Sequence, residues 1–229
     1  MTPGSIIFKF DDILVNTMPT RYRLIRKSWS RFNRWFIDFG PQNDKDVYSR
    51  KFENIYEWLL KPVLRVIDQQ TFIEVVSAIE NDFNKHVCDK AVYENVDITS
   101  FAKKTIFNTV YIDSGNVENI YIIYDYRSEN ERLEKEQYIK KHFTHNKITA
   151  IPRHFKESMS DVLKRNKISW NLFVTDSVND VQNVAENCVR ERKEFLLPKY
   201  EYVRLPEKVK KLIEYDYGSV NYYDPFLKN

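Results

Sequence analysis

The sequence predicts an α/β fold in which helices cover both faces of a parallel sheet. Two observations carry this prediction. Segments with strand character alternate with helices of roughly 10–15 residues over the second half of the chain, and one further strand lies near its start. Helices between successive strands are the crossover connections that a parallel sheet requires. A long, mainly helical stretch separates the first strand from the rest.

The first strand is predicted at Ser5–Phe10, an apolar run with β-branched residues that one lysine interrupts. Helices are predicted behind it because apolar residues there recur at intervals of three and four. Gly40–Pro41 and Lys61–Pro62 separate them, since glycine and proline disfavour a continuous helix. The predicted helices cover Tyr22–Phe36, Asp46–Leu60, Gln70–His86 and Asp97–Phe107.

Strands and helices alternate in the second half of the chain. Predicted strands lie at Asn119–Tyr126, Lys147–Ile151, Asn171–Asp176 and Glu194–Leu197, with strand-like residues again at Tyr200–Val203. Predicted helices lie at Glu129–Phe143, Lys156–Asn166, Asn179–Arg192 and Glu207–Tyr215. Open α/β sheets hold their sites at the carboxyl ends of strands, where an insertion after the first strand begins. Residues 18–105 are therefore predicted to form a helical cap, and residues 1–17 and 106–229 the core.

Composition excludes several common kinds of site. The only glycines are Gly4, Gly40, Gly115 and Gly218, which assemble neither the GxGxxG dinucleotide motif nor a P-loop. Cys88 and Cys188 cannot form a zinc cluster alone; two reduced, packed thiols are expected, with a disulfide between them as the alternative. A formal net charge of +3 gives no general signal for polyanion binding.

The expected location is the cytoplasm. The first residues lack the basic and apolar regions of a signal peptide, and no apolar run approaches the roughly 18 residues that span a bilayer. No contact with a membrane is therefore expected. The frequent use of Lys, Asn, Ile and Tyr is typical of AT-rich genomes, which include those of phages and low-GC microbes. A location in a virion is therefore the alternative.

Charged side chains lie at the carboxyl ends of the predicted parallel strands. They are Lys9 and Asp11 at the first strand, Asp125 at the second, and Asp176 with Asp180 at the fourth. Clustered carboxylates repel each other unless a cation lies among them. Mg²⁺ is one candidate because it favours oxygen ligands. The ammonium of Lys9 is the other, since strand alternation places it on the same side as Asp11.

Three segments resemble motifs of the haloacid dehalogenase (HAD) superfamily. Residues 8–17, FKFDDILVNT, are similar to its first motif, hhhDxDGTLhdT, and residues 173–180, FVTDSVND, to its fourth, hhGDxxxD. Lys156, at the head of a predicted helix, suits the lysine of the third motif. The order of elements, with a helical insertion after the first motif, is also similar. The resemblance implies a Rossmann-like HAD core with a helical cap.

The departures from this pattern argue against the family's chemistry. The first aspartate of DxD, which is the nucleophile and a Mg²⁺ ligand in the family, corresponds to Lys9, and the second, a general acid/base, to Asp11. The following glycine is Asp12, and the serine or threonine of the second motif falls near Tyr124 or Asp125. An ammonium cannot form an aspartyl-phosphate, and it repels Mg²⁺. An ion pair of Lys9 with acidic neighbours is therefore favoured over a reactive amine.

The expected function is that of a catalytically inactive, HAD-like pseudoenzyme, a binding or structural subunit of a larger assembly, a phage or viral one included. No catalytic residue and no cofactor are expected in its remnant pocket, which comprises Lys9, Asp11, Lys156, Asp176 and Asp180. The alternative is a Mg²⁺-dependent phosphohydrolase or nucleotidase with a non-standard site. Its metal ligands would be Asp11, Asp176 and Asp180.

A protein partner is expected, and two regions are candidates for its contact surface. Aromatic side chains crowd the end of the chain, among them Tyr222, Tyr223 and Phe226, and such side chains often anchor interfaces. Residues 21–34 combine aromatic with basic side chains, including Arg21, Arg26 and Lys27. A solvated helix face is favoured there, with nucleic-acid contact as the alternative.

Overall fold

The computed structural model describes residues 4–28, 47–48, 68, 70, 90–107, 117–188, 193–200 and 203–226. The chain divides into two compact units, one comprising Met1–Asn16 with Asp97–Asn229 and the other Thr17–Val96. Residues 97–105, which were predicted to belong to the cap, fall in the first unit.

The first unit is built around a six-stranded sheet with the strand order β3-β2-β1-β4-β5-β6. Its strands are β1 (Gly4–Lys9), β2 (Val117–Tyr126), β3 (Ile148–His154), β4 (Leu172–Val174), β5 (Lys193–Pro198) and β6 (Gly218–Tyr223). Every neighbouring pair in this order is parallel. The predicted α/β fold with a parallel sheet is confirmed.

Helices alternate with the strands along the chain. The helices whose bounds the described residues give are α1 (Thr17–Ser28), α2 (Lys90–Asn95), α3 (Ser100–Thr105), α4 (Glu129–His142), α5 (Met159–Arg165), α6 (Val178–Asn187) and α7 (Glu207–Asp216). Ser128, Ser158 and Ser177 precede α4, α5 and α6, and each side chain accepts a hydrogen bond from the backbone N–H three residues later. These serine caps satisfy backbone donors that have no partner inside the helix.

The central strands form the core of the first unit. Ile7 of β1, Ile122 of β2 and Phe173 of β4 are fully buried. A strand buried on both faces carries a nearly continuous apolar run, which is why the first strand was recognisable from its sequence. Towards β6, the Tyr217 ring lies 6.0 Å from that of Phe195, so aromatic packing extends the core to this side.

Some of the predicted elements differ from the structure in their bounds, and one strand was not predicted. β3 continues to His154 instead of ending at Ile151, because its carboxyl end stays paired with β2. Tyr200 and Val203 lie outside any strand, and the Tyr200 hydroxyl donates to the Asp12 carbonyl at 3.2 Å. Gly218–Tyr223 forms β6 beside β5 and was missed because its polar and aromatic residues lack a clear alternation.

The described part of the second unit comprises α1 and α2 with a few isolated residues. α1 begins at Thr17, earlier than predicted, and Arg21 Nη2 donates to Tyr93 Oη in α2 at 3.4 Å. Arg26 and Lys27 lie in α1, and their side chains are outside the described part of the structure. The predicted helices between Asp46 and His86 lie almost wholly outside it too. None of the described helices has the length and apolar character needed to cross a membrane.

Lys167 ends α5 in a conformation that favours glycine. Its φ is 51°, its N–H bonds the Lys164 carbonyl at 3.1 Å, and the Ile168 N–H bonds the Leu163 carbonyl at 3.0 Å. A residue with a Cβ is strained in this left-handed helix ending. We expect Lys167→Gly to raise the free energy of unfolding by about 0.5–1 kcal/mol and Lys167→Ala to leave it nearly unchanged. Urea denaturation measures both, and a less stable glycine variant would contradict the interpretation.

Candidate functional site

The carboxyl ends of β1, β2, β3 and β4 bring charged side chains to one edge of the sheet. Lys9 is the last residue of β1, and Asp176 follows β4 closely. Asp125 of β2 is directly opposite Arg153 of β3 in the parallel register. Because these strands are neighbours, their carboxyl ends meet at the edge where α/β sheets hold their sites.

Lys9 lies between two carboxylates. Its Nζ donates to Asp176 Oδ1 at 3.2 Å and lies 4.0 Å from Asp125 Oδ2, and the side chain is 15% exposed. Burial by itself would lower the pKa of Lys9, but the negative charges of Asp176, Asp125 and Asp180 outweigh burial and raise it. Lys9 is therefore a charged ammonium at neutral pH, in an ion pair of the kind that the sequence predicted.

Arg153 joins two further carboxylates. Its Nε and Nη2 donate to the two oxygens of Asp125, the latter at 2.7 Å, and Nη1 donates to Asp180 Oδ1 at 2.6 Å. The guanidinium is 8% exposed, so water screens these contacts weakly. Asp180 is held in place by α6, where its N–H donates to Ser177 Oγ at 3.1 Å. The planar fork of arginine suits such two-pronged contacts.

Lys135 of α4 holds Asp11. Its Nζ donates to Asp11 Oδ2 at 2.7 Å and to the Asp125 carbonyl at 2.5 Å, and it lies 3.0 Å from Glu131 Oε1. The side chains of Lys135 and Glu131 are 2% and 3% exposed. Glu131 is anchored in turn by the backbone N–H of Arg127, which donates to Oε2 at 2.8 Å. A buried ammonium thus occupies the position next to Asp11.

These contacts form one continuous set of ion pairs and hydrogen bonds, which we call the ionic network. Its members are Lys9, Asp11, Asp125, Glu131, Lys135, Arg153, Asp176 and Asp180. Each of its three cations contacts two of its five carboxylates, and Asp125 links all three cations through its side chain or its carbonyl. Paired charges of this kind relieve the repulsion expected among clustered carboxylates.

The residues of the network do not fit the divalent cation that HAD-like chemistry implies. An ammonium stands beside Asp176, a guanidinium binds both oxygens of Asp125, and neither group can ligate a metal. Among the described ranges, no group of three or more His, Cys, Asp or Glu side chains is arranged to hold a metal ion. Asp11 and Asp180, which would be metal ligands only under the phosphohydrolase alternative, pair with Lys135 and Arg153.

The structure brings most of the predicted pocket together but places Lys156 differently. Lys156 is exposed, and its Nζ lies 5.6 Å from the centroid of the Phe155 ring. Within the described part of the chain it joins no ion pair with the network. In addition to Lys9, Lys135 reaches the site, from the middle of α4.

Lys135 and Arg153 were missed for different reasons. Lys135 is one of several lysines in a highly charged helix, and nothing in the sequence distinguishes the buried one. Arg153 was detectable in principle, because extending β3 by two residues puts it opposite Asp125.

Asp12 stands where the HAD motif has glycine, and its backbone explains that preference. Its φ is 61°, in the left-handed region, and the residue is 6% exposed. The turn is closed by the Asp12 N–H, which bonds the Val15 carbonyl at 2.8 Å. Aspartate tolerates this conformation better than most residues. The turn therefore forms in this chain without a glycine.

Two aromatic residues predicted as partner contacts pack within the chain. The ring of Tyr223 stacks on that of Phe101 with centroids 4.3 Å apart, and Phe226 lies 6.0 Å from Tyr200. Burial and the charge of Asp176 raise the pKa of Tyr223. These rings are half-buried because they pack against Phe101 and Tyr200 of the same chain.

Comparisons with known proteins were made by family, by sequence and by structure. No protein-family model and no curated protein matches the chain. A haloacid dehalogenase-like hydrolase from Streptococcus pneumoniae has a similar structure, with a TM-score of 0.50 at 14% identity over 98% of this chain and 95% of that chain. Likeness at this identity establishes the fold and no activity.

Two further solved structures match at lower TM-scores. One is a HAD-superfamily hydrolase, subfamily IA, from Geobacter sulfurreducens, with a TM-score of 0.45 and 14% identity over 93% of this chain and 96% of that chain. The other is L-2-haloacid dehalogenase from Xanthobacter autotrophicus, with a TM-score of 0.47 and 11% identity over 91% and 81%. The parallel sheet and the first of these three likenesses agree with the motif resemblance: the chain has the Rossmann-like α/β fold of the HAD-like hydrolases.

Proposed function

We propose that this chain is a catalytically inactive HAD-like domain in which charged side chains take the place of the catalytic metal ion. We further propose that it acts as a binding or structural subunit of a larger assembly. The observation that carries the proposal is the contact between Lys9 Nζ and Asp176 Oδ1 at 3.2 Å. The ammonium occupies the position at which the family motif has its nucleophilic aspartate. A carboxylate would be needed there to form an aspartyl-phosphate.

The protonation state of Lys9 also argues against a role for its amine as a nucleophile. A lysine attacks an electrophile only through its neutral amine, which requires a lowered pKa. Here the surrounding carboxylates raise the pKa of Lys9, so the amine stays protonated at neutral pH. This supports a structural role for the side chain.

Exposed aromatic side chains support a binding role. Tyr215 of α7 is 90% exposed and Tyr222 of β6 is 38% exposed. Tyrosine is enriched at interfaces because it combines a large apolar ring with a hydroxyl group. Tyr222, one of the residues predicted to contact a partner, is thus available for that contact.

A Mg²⁺-dependent phosphohydrolase is the second candidate. It is favoured by Asp11, the counterpart of the family's acid/base residue, which is retained at the sheet edge with a side chain that is 13% exposed. In this case Lys135 would have to release Asp11 during turnover.

The distinguishing experiment is turnover of p-nitrophenyl phosphate with and without Mg²⁺. We expect no turnover above the protein-free rate for the unaltered chain. Mg²⁺-dependent turnover that Asp11→Asn or Asp176→Asn abolishes would overturn the proposal and establish the second candidate.

Lys9→Asp tests whether the ammonium is what keeps Mg²⁺ out. We expect this variant to bind Mg²⁺, because it removes the ammonium and places a second carboxylate beside Asp176. Binding is measured by calorimetry and by thermal unfolding, where Mg²⁺ at ten times its Kd stabilises the variant by about 1.4 kcal/mol. Lys9→Met is the matched control, since it removes the charge without adding a ligand. Equal Mg²⁺ binding by the unaltered chain, or by Lys9→Met, would refute metal replacement.

A further inference from the structure

We propose that the surface around Phe155 binds an acidic peptide segment of a partner protein, with an apolar side chain of the peptide placed on the Phe155 ring. This inference rests on the proposed binding function and assigns it a surface. We call this region the Phe155 surface; it comprises Tyr126, Arg127, His154, Phe155 and Lys156.

The Phe155 ring is presented on a fixed backbone at the rim of the sheet. It follows β3, the edge strand next to β2, and its N–H donates to the Tyr126 carbonyl at 3.0 Å. The side chain is 49% exposed. The His154 ring lies 4.8 Å from the Phe155 ring and 5.5 Å from that of Tyr126. An aromatic platform, held by strand ends, therefore faces solvent.

Two cations flank this platform. Arg127 Cζ lies 5.9 Å from the centroid of the Phe155 ring, and Lys156 Nζ lies 5.6 Å from it. Both residues are exposed. These distances are within the range of cation–π attraction, which favours positions for both cations close to the ring.

Three carboxylates that are next to these residues in the sequence or in contact with them have cationic partners. Glu157 pairs with Arg165, Asp125 with Arg153, and Glu131 with Lys135. Among the described residues, neither Arg127 nor Lys156 makes an ion pair. The Phe155 surface thus presents positive charge beside an apolar ring, which complements a segment with carboxylates on either side of an apolar residue.

The surface fits a peptide better than a nucleic acid. Binding along a phosphate backbone uses several cations arranged in a groove. Here two cations lie beside one ring, in a chain whose formal net charge is only +3. Two carboxylates a few residues apart in a peptide are enough to pair with these two cations.

The test is fluorescence polarisation of the full chain with a fluorescein-labelled peptide, Asp-Asp-Phe-Leu-Asp-Asp, at low salt. We expect saturable binding that weakens as salt rises, because the contacts are exposed. Phe155→Ala, Arg127→Glu and Lys156→Glu should each weaken binding about tenfold or more. Matched controls are Phe107→Ala, an exposed aromatic residue that follows α3, and Lys208→Glu, an exposed residue of α7, and these should bind as the unaltered chain does. Circular dichroism verifies that every variant is folded.

Three results would contradict the binding of an acidic peptide at the Phe155 surface. A peptide with lysine in place of aspartate should not bind, and equal binding of it would overturn the inference. Tighter binding of an oligothymidine strand would identify the surface as a nucleic-acid site instead. Loss of peptide binding in Tyr215→Ala but not in Phe155→Ala would keep the binding function and move it to another surface. Mg²⁺-dependent phosphatase activity, in contrast, would refute the proposed function without affecting these results.

Discussion

Replacing Arg153 with methionine is expected to lower the free energy of unfolding by about 3–5 kcal/mol, the usual cost of removing one partner from a buried ion pair. Methionine keeps much of the side-chain volume but none of the donors. Asp125 and Asp180 then lose the guanidinium that joins them, and the Asp180 side chain is only 10% exposed. The variant leaves negative charges close together in a poorly hydrated site, where they repel strongly.

The control for this prediction is Arg165→Met. Arg165 also pairs with a carboxylate, that of Glu157, but it is 55% exposed. Solvent screens such a pair, so the change in unfolding free energy should stay within about 0.5 kcal/mol. Urea denaturation of both variants gives the comparison. A similar decrease in unfolding free energy for the two variants would mean that Arg153 in the ionic network stabilises the fold no more than a surface ion pair does.

A second large loss is expected for Lys135→Met, again about 3–5 kcal/mol. Lys135 is 2% exposed and contacts Asp11, Glu131 and the Asp125 carbonyl. Removing its ammonium takes away the cation that pairs with the buried Glu131 carboxylate and with Asp11. An uncompensated buried charge is costlier than a missing apolar contact.

The cause of that loss is tested by a compensating substitution. Glu131→Gln keeps the shape of the side chain and removes its charge, so the double variant with Lys135→Met should recover a substantial part of the lost stability. Lys140→Met is the control in the same helix, because Lys140 pairs with Glu136 while 71% exposed. If the double variant were as unstable as the sum of its single changes, buried charge would not be the cause.

The ionic network explains how a sheet edge crowded with carboxylates persists in this chain. Lys9 is carried by β1, Arg153 by β3 and Lys135 by α4, so each cation is delivered by a different element. A covalently attached cation is always present, whereas a bound ion depends on its concentration. The same attachment prevents the site from exchanging its cation, which is consistent with the proposed loss of metal-assisted chemistry.

Much of the fold could be predicted from local pattern alone. β1 was visible as an apolar run, and α4 and α6 followed from helical spacing between strands, because periodicity and capping are properties of neighbouring residues. The strand-end positions of Lys9, Asp11 and Asp176 followed for the same reason. β6 was missed because its residues take their strand conformation from pairing with β5 and not from a pattern of their own.

The identity of the cations at the site was decided by tertiary structure. The sequence by itself determined that carboxylates gather at the carboxyl edge of a parallel sheet and that Lys9 stands among them. It did not determine that Lys135 and Arg153 complete the set. Which lysine of a charged helix becomes buried, and how far an edge strand continues, depend on packing between segments that are distant along the chain, and local patterns carry no information about such contacts.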